Sequence, residues 1–324
     1  MSRIDRAHVG AKGNILSVGG LSVGHWTDLA RGTGCTVVLF HRPSVCGVDI
    51  RGSAPGTRET ALLDPTCLVE RVDAIVLTGG SSLGLASASG VAFALREMGR
   101  GFPTSGGPVP IVPAAVVFDL AVGDRNAWPD EESGRAALAA ASAYELEEGN
   151  VGVGTGATAG PGEGGTKTGL GSALASRGDL LVGAIVASNP VGCILDANGR
   201  TIAGPLRDGR LLDPGEVLTA TPPGLSQNTL IGVVATNARL DKAMATKVAM
   251  MAHDGIARRV RPAHTMYDGD TLFSVSIGEG QAGANVSLVG DLAAEAVAGA
   301  ILRSVALAAP LFGIPSARTL GVLH

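Results

Sequence analysis

Short runs rich in β-branched residues alternate along the chain with longer stretches of small apolar residues. The runs at 36–40 (TVVLF), 44–50 (SVCGVDI), 74–80 (AIVLTGG), 114–118 (AAVVF), 180–187 (LLVGAIVA), 229–236 (TLIGVVAT) and 271–278 (TLFSVSIG) are bounded by glycine or polar residues and predict strands. Helical patterns predict helices over 81–98, 130–147, 241–260 and 291–309. Several strands are apolar on both faces, so each sheet is expected to be covered on both sides, as in two packed sheets with helices outside. Helix 130–147 opens on Pro129, Asp130, Glu131 and Glu132, which puts acid at the positive end of the helix dipole. Helix 241–260 closes on Arg258 and Arg259, the matching sign for a C-terminus. The most apolar stretch, 292–309, carries Glu295 and Arg303 and is alanine-rich, which predicts a buried helix rather than a membrane span. Two glycine- and proline-rich stretches, 154–169 and 204–228, read as flexible loops.

Composition sharpens this picture. Glycine contributes 48 of 324 residues, about twice its usual share of roughly 7%, so backbones are expected to approach closely where layers pack. A net charge of −4, with no basic run and no aromatic stacking platform, argues against a nucleic-acid partner. Four cysteines without a CxxC pair and an N-terminus without an apolar signal core predict a reduced, cytoplasmic protein.

Candidate chemistry gathers at a few points. GPGEGGTKT (160–168) lacks the Gly-Lys step of a phosphate-binding loop, which leaves Lys167 as a lone cation, either solvated or functional. In TGGSSLGLASASG (78–90), Ser81 and Ser82 follow a strand without the spacing of a nucleophile elbow. The histidines recur at no metal-ligand spacing, so no metal is expected. Asp268 and Asp270 precede a strand two residues apart, which turns both carboxylates to one side of an extended chain. They read equally as a turn or as groups that bind a cation or polarise a nucleophile. Asn189 ends a strand, as a turn residue or as an oxyanion donor. Asn228 and Thr229 stand where a proline-rich loop becomes an apolar strand. That position is either an ordinary strand entry or a point at which a threonine nucleophile cuts its own chain.

The segments GHWTD…GTGCTVVLF (24–40), GVDIRGSAPGTRETALLDP (47–65), AIVLTGGSSLGLASASGV (74–91), EGNVGVGTGAT (148–158), NTLIGVVATNA (228–238), KVAMMAHDGIARRVRPAHT (247–265) and DGDTLF (268–273) resemble, in order, the self-cleaving aminopeptidase family. That family includes the D-aminopeptidase DmpA, the β-peptidyl aminopeptidases and the nylon-oligomer hydrolase NylC. The resemblance implies a single-domain, four-layer αββα sandwich like that of N-terminal-nucleophile hydrolases. It implies self-cleavage between Asn228 and Thr229 into fragments 1–228 and 229–324, with Thr229 as nucleophile, supported by Lys167, Asn189, Asp268 and Asp270. Threonine with two aspartates looks closest to the nylon-oligomer branch, which implies 6-aminohexanoate oligomers as substrate. Peptides with small or β-amino N-terminal residues are the alternative. No cofactor and no membrane are implied, and the working form is expected to be a homo-oligomer, a tetramer of processed units. Thr168, Pro190 and Asn237 depart from the family pattern and are expected to reshape the pocket. The rival readings are an uncleaved ligand-binding protein and a conventional hydrolase built on Ser81, Ser82 or Cys193.

Overall fold

Residues of one strand go alternately to two different cores, and this sorts the chain into layers. In the computed structural model, which describes residues 13–220, 228–278 and 285–323, nine strands form one hydrogen-bonded network. They are β1 (Leu21–Asp28), β2 (Thr33–Ile50), β3 (Thr57–Arg58), β4 (Arg71–Thr78), β5 (Ala114–Val116), β6 (Leu170–Arg177), β7 (Leu180–Asn189), β8 (Thr229–Thr236) and β9 (Thr271–Ser276). Their order is β3-β5-β4-β2-β9-β8-β7-β6, with β1 also on β2.

The 18-residue strand β2 joins two sheets. Its first half, from Thr33 to Phe40, pairs with β1. Its second half, from Val45 to Ile50, pairs with β9. A register shift between Leu39 and Ser44 marks the passage, as expected where a strand leaves one sheet for another.

Side-chain alternation then gives three cores. Val38, Phe40, Ile75 and Leu77 meet Ile185, Ile231, Val233 and Phe273 between the sheets. Their neighbours Val37, Ala74 and Val76 face the other way, against Val91 and Leu95 of α1 (Ala86–Glu97) and Ala137 of α2 (Glu131–Ala139). On the far side, Leu230, Val234 and Val186 lie under α3 (Lys242–Arg259) and α4 (Val286–Ala306). The result is an αββα sandwich, with each buried valine, leucine or isoleucine contributing roughly 1.5–3 kcal/mol. The glycine content has its use at such crossings: a Cβ on Gly171 of β6 would stand 2.1 Å from the carbonyl oxygen of Ala300 in α4.

Several sequence expectations need correction. The runs at 36–40 and 44–50 are one strand, and β1, β6 and the two-residue β3 are additional. β1 and β6 are poor in β-branched residues, and packing on β2 and under α4 makes them strands. Helix 130–147 stops at Ala139. Asp130 caps its start by accepting from the N–H of Ser133 at 2.9 Å. Beyond it, Ser142 exchanges backbone hydrogen bonds with Val23 of β1, and the acids at 145–148 are unfavourable at a helix C-terminus. α4 begins earlier than expected, capped by Asn285. Arg303 of α4 is paired with Glu148. No helix among the described residues is long and apolar enough to cross a membrane.

The stretch 154–169 is not a solvated loop: most of it is buried, and Lys167 is wholly so. In 204–228, Leu206–Arg207 and Arg210–Leu211 pair as a small hairpin and Val217–Ala220 form a helical turn. The remainder, 221–227, lies outside the described residues.

Candidate active site

Strand polarity brings the candidate residues together. β8 and β9 are parallel, so the residues entering each lie at the same end of the sheet. β7 runs antiparallel to β8, so its last residue arrives there too. Thr229 is thus directly opposite Asn189, and Asn228 bridges to Asp268. Asn189, Asn228, Thr229, Asp268 and Asp270 are all buried at this one point, although they come from three distant parts of the sequence.

The Asn228–Thr229 linkage is held closely. The Thr229 hydroxyl donates to the carbonyl oxygen of Asn228 at 2.5 Å. The same oxygen accepts from the N–H of Gly269 at 3.0 Å. The Asn228 side-chain amide donates to the carbonyls of Pro190 and Gly160, and its N–H donates to Tyr267. Both sides of the linkage are therefore anchored. A Cβ at residue 269 would lie 2.9 Å from Thr229 Oγ1 and 2.6 Å from the Ala54 carbonyl oxygen, so glycine keeps the space around the hydroxyl open.

The two carboxylates have different duties. Asp270 Oδ1 accepts from the N–H of Leu230, the residue after Thr229, at 2.8 Å. Its Oδ2 accepts from both the ring Nδ1 and the N–H of His264. Asp268 accepts from Val191 N–H through Oδ1 and from the N–H and hydroxyl of Thr265 through Oδ2. Burial, with the Asp270 charge nearby, pushes the Asp268 carboxyl up to about 6. The pair was expected to orient Thr229. The hydroxyl instead turns to Asn228, and Asp270 reaches β8 one residue further on.

Asn189 is fixed as a donor. Its Oδ1 accepts from Thr158 N–H at 2.9 Å, and Nδ2 donates to the Phe118 carbonyl at 3.2 Å. One amide hydrogen on Nδ2 is left for another acceptor.

Lys167, expected as a solvated cation or as a support for Thr229, is wholly buried. Its ammonium donates to the carbonyls of Gly154, Ala157 and Thr168, which takes all three of its hydrogens. It binds the glycine-rich segment to itself, and its own backbone pairs with Thr158, the residue that holds Asn189. Burial pushes its pKa down to about 7, against the pull of Asp119. Asp119 had no signal in the sequence beyond a lone acid after an apolar run. It is buried, accepts from Gly80 N–H at 2.6 Å and the Thr33 hydroxyl at 2.8 Å, and burial raises it to about 6.

Two expectations fall. Asn237 lies at the far end of β8, about 25 Å along the strand from Thr229, where it ties Leu181 and Asp179 to β8. It does not shape this site. Cys193 is buried with its thiol pushed up to about 11 by desolvation, which suits a packed thiol and not a nucleophile. Ser81 and Ser82 lie in a short helical turn after β4. Among the described residues, no histidine hydrogen-bonds either serine.

Comparison with known proteins shows the class to which a chain of this fold belongs. The architecture matches the L-aminopeptidase D-Ala-esterase/amidase of Ochrobactrum anthropi, described as a variant of the Ntn-hydrolase fold. That match has a TM-score of 0.70 at 21% identity and covers 91% of this chain and 86% of the other. The chain belongs to peptidase family S58, which matches residues 13–318. An uncharacterized aminopeptidase of Mycobacterium tuberculosis is 42% identical, over 94% of this chain and 97% of its own length. A 6-aminohexanoate-oligomer endohydrolase of a Kocuria species is 31% identical, over 88% and 84%. The chain is therefore a peptidase-class hydrolase with more likeness to the mycobacterial aminopeptidase than to the nylon-oligomer enzyme, which corrects the order expected from the threonine and paired aspartates.

Proposed function

We propose that the chain is a precursor that cuts itself between Asn228 and Thr229 and then works as an N-terminal-threonine amide hydrolase. The observation that carries this reading is the Thr229 hydroxyl lying against the Asn228 carbonyl, which is already polarised by Gly269 N–H. In the first stage, Thr229 Oγ adds to the Asn228 carbonyl carbon, the C–N bond breaks, and an ester forms with a free α-amine. Water then hydrolyses the ester, giving fragments 1–228 and 229–324. In turnover, the α-amine takes the hydroxyl proton as Oγ attacks a substrate amide, and returns a proton to the leaving amine. The remaining Asn189 amide hydrogen serves the oxyanion. Asp270 fixes the start of β8, Asp268 fixes the segment after Asn189, and Lys167 holds the wall that positions Asn189.

The proposed substrates are short linear amides. 6-Aminohexanoate oligomers remain one class, on the strength of the threonine with two aspartates. Peptides with a small or β-amino N-terminal residue are the second, favoured by the higher identity to an aminopeptidase. The proposed working form is a cytoplasmic homo-oligomer, a tetramer of processed units, by the family resemblance. The test is an assay of the wild type and Thr229→Ala with 6-aminohexanoate trimer, alanyl-p-nitroanilide and β-alanyl-p-nitroanilide. The wild type is expected to hydrolyse at least one and the variant none. Activity retained by the alanine variant contradicts the reading.

A further inference from the structure

His264 has no place in the mechanism above, yet it is bound to Asp270, the carboxylate that accepts from the N–H of Leu230, one residue after Thr229. Its Nδ1 lies 2.7 Å from Asp270 Oδ2, and its backbone N–H donates to the same oxygen at 3.2 Å. Both bonds depend on a left-handed backbone, φ +57°, which costs a non-glycine residue and persists where the surroundings enforce it. A carboxylate only accepts, so the proton in the 2.7 Å bond belongs to Nδ1. Nε2 is buried and has no hydrogen-bond partner among the described residues.

The ring is steadied from behind. His253 meets it edge to face, with centroids 4.9 Å apart. His253 Nε2 lies 3.0 Å from the Asp49 carbonyl. Desolvation keeps His253 neutral by lowering its pKa to about 4. His264 thus occupies one oxygen of Asp270 from a fixed direction and leaves the other on Leu230 N–H.

We infer that His264 is a positioning residue that sets the rotation of the Asp270 carboxylate, and through it the placement of the Thr229 amine and hydroxyl. The inference rests on the proposal that Thr229 is the nucleophile. If His264 acts this way, it affects the rate of the chemical steps and leaves substrate binding alone. A residue that merely shapes the 261–268 loop does the reverse or affects stability only.

The test compares His264→Asn, His264→Asp and His264→Gly. All three tolerate a left-handed backbone. Asn offers a side-chain donor near Nδ1, Asp an acceptor of the same shape, and Gly nothing. Precursor processing rate, kcat and KM are measured with the amide on which the wild type is most active, together with the thermal midpoint. Asn is expected to stay within about threefold of wild type in kcat. Gly and Asp are expected to lose about ten- to a hundredfold, the scale of one charge-assisted hydrogen bond, at unchanged KM. Full kcat in His264→Gly, or Asn as impaired as Asp, overturns the inference. Should Gly not fold, the isosteric Asn and Asp pair decides alone. Thr229→Ala runs alongside: if it still processes and turns over, the nucleophile assignment fails whatever His264 does.

Discussion

The hydroxyl of Thr229 and the carbonyl of Asn228 are in contact at 2.5 Å, inside a site that leaves Thr229 only 5% exposed. The reacting groups belong to adjacent residues, so their meeting needs no diffusion and no rearrangement of the fold. A second donor, Gly269 N–H, already points at the oxygen on which negative charge develops if the hydroxyl adds to the carbonyl carbon.

Gly269→Ala tests whether that space matters. The added methyl meets the Ala54 carbonyl at 2.6 Å and Thr229 Oγ1 at 2.9 Å, and the first of these is backbone that cannot swing away. Overpacking of this kind costs on the order of 1–3 kcal/mol. The expected result is a folded protein with a lower thermal midpoint and precursor processing slowed at least about tenfold by displacement of the hydroxyl. Processing at the wild-type rate contradicts the assigned geometry.

Asp270→Asn and Asp268→Asn keep shape and remove charge. Asp270 touches β8 beside Thr229, the proposed nucleophile, so its variant is expected to lose about ten- to a hundredfold in processing and turnover. Asp268 holds Val191 and Thr265, and its variant is expected to lose less. Rate measurements on both, with thermal midpoints, check this. Full activity in both variants returns the pair to the role of a turn.

The sequence and the structure part company at particular residues. Asp268 and Asp270 were readable because a spacing of two before a strand fixes which way side chains point. The strand start at Thr229 was readable because the apolar run begins abruptly there. The site around them was not, because strand order brings it together: β7 and β9 both neighbour β8, and no periodicity encodes that. Lys167 read as either solvated or functional because its segment is glycine-rich, and those small residues let the segment fold inward until three carbonyls surround the ammonium. His264 and Asp119 acquire meaning only through partners far away in the fold or across a loop, Asp270 and Thr33 among them.

Lys167→Met tests the clamp. Methionine fills similar space but leaves the carbonyls of Gly154, Ala157 and Thr168 without their donor, each at about 1–3 kcal/mol. A loss of several kcal/mol by denaturant unfolding is expected, along with impaired processing. Unchanged stability assigns Lys167 no structural load.

Asp119 gives a pH signature. Burial raises its carboxyl from 3.8 to about 6, so its contribution is fully present below about pH 4 and is lost as pH rises through about 6. The difference amounts to roughly 3 kcal/mol. Asp119→Asn lacks this term, so its stability relative to the wild type is expected to rise between pH 4 and pH 7 in denaturant titrations. A constant difference across that range contradicts the buried-carboxylate account.

The most direct measurement is the mass of the purified protein under denaturing conditions, with N-terminal sequencing of any small fragment. Self-cleavage at Asn228–Thr229 predicts two chains from the 32.3 kDa precursor, the smaller about 9.6 kDa and beginning Thr-Leu-Ile-Gly, and a single intact chain for Thr229→Ala. A wild-type protein that stays at 32.3 kDa, or a fragment beginning at any other residue, contradicts the central claim.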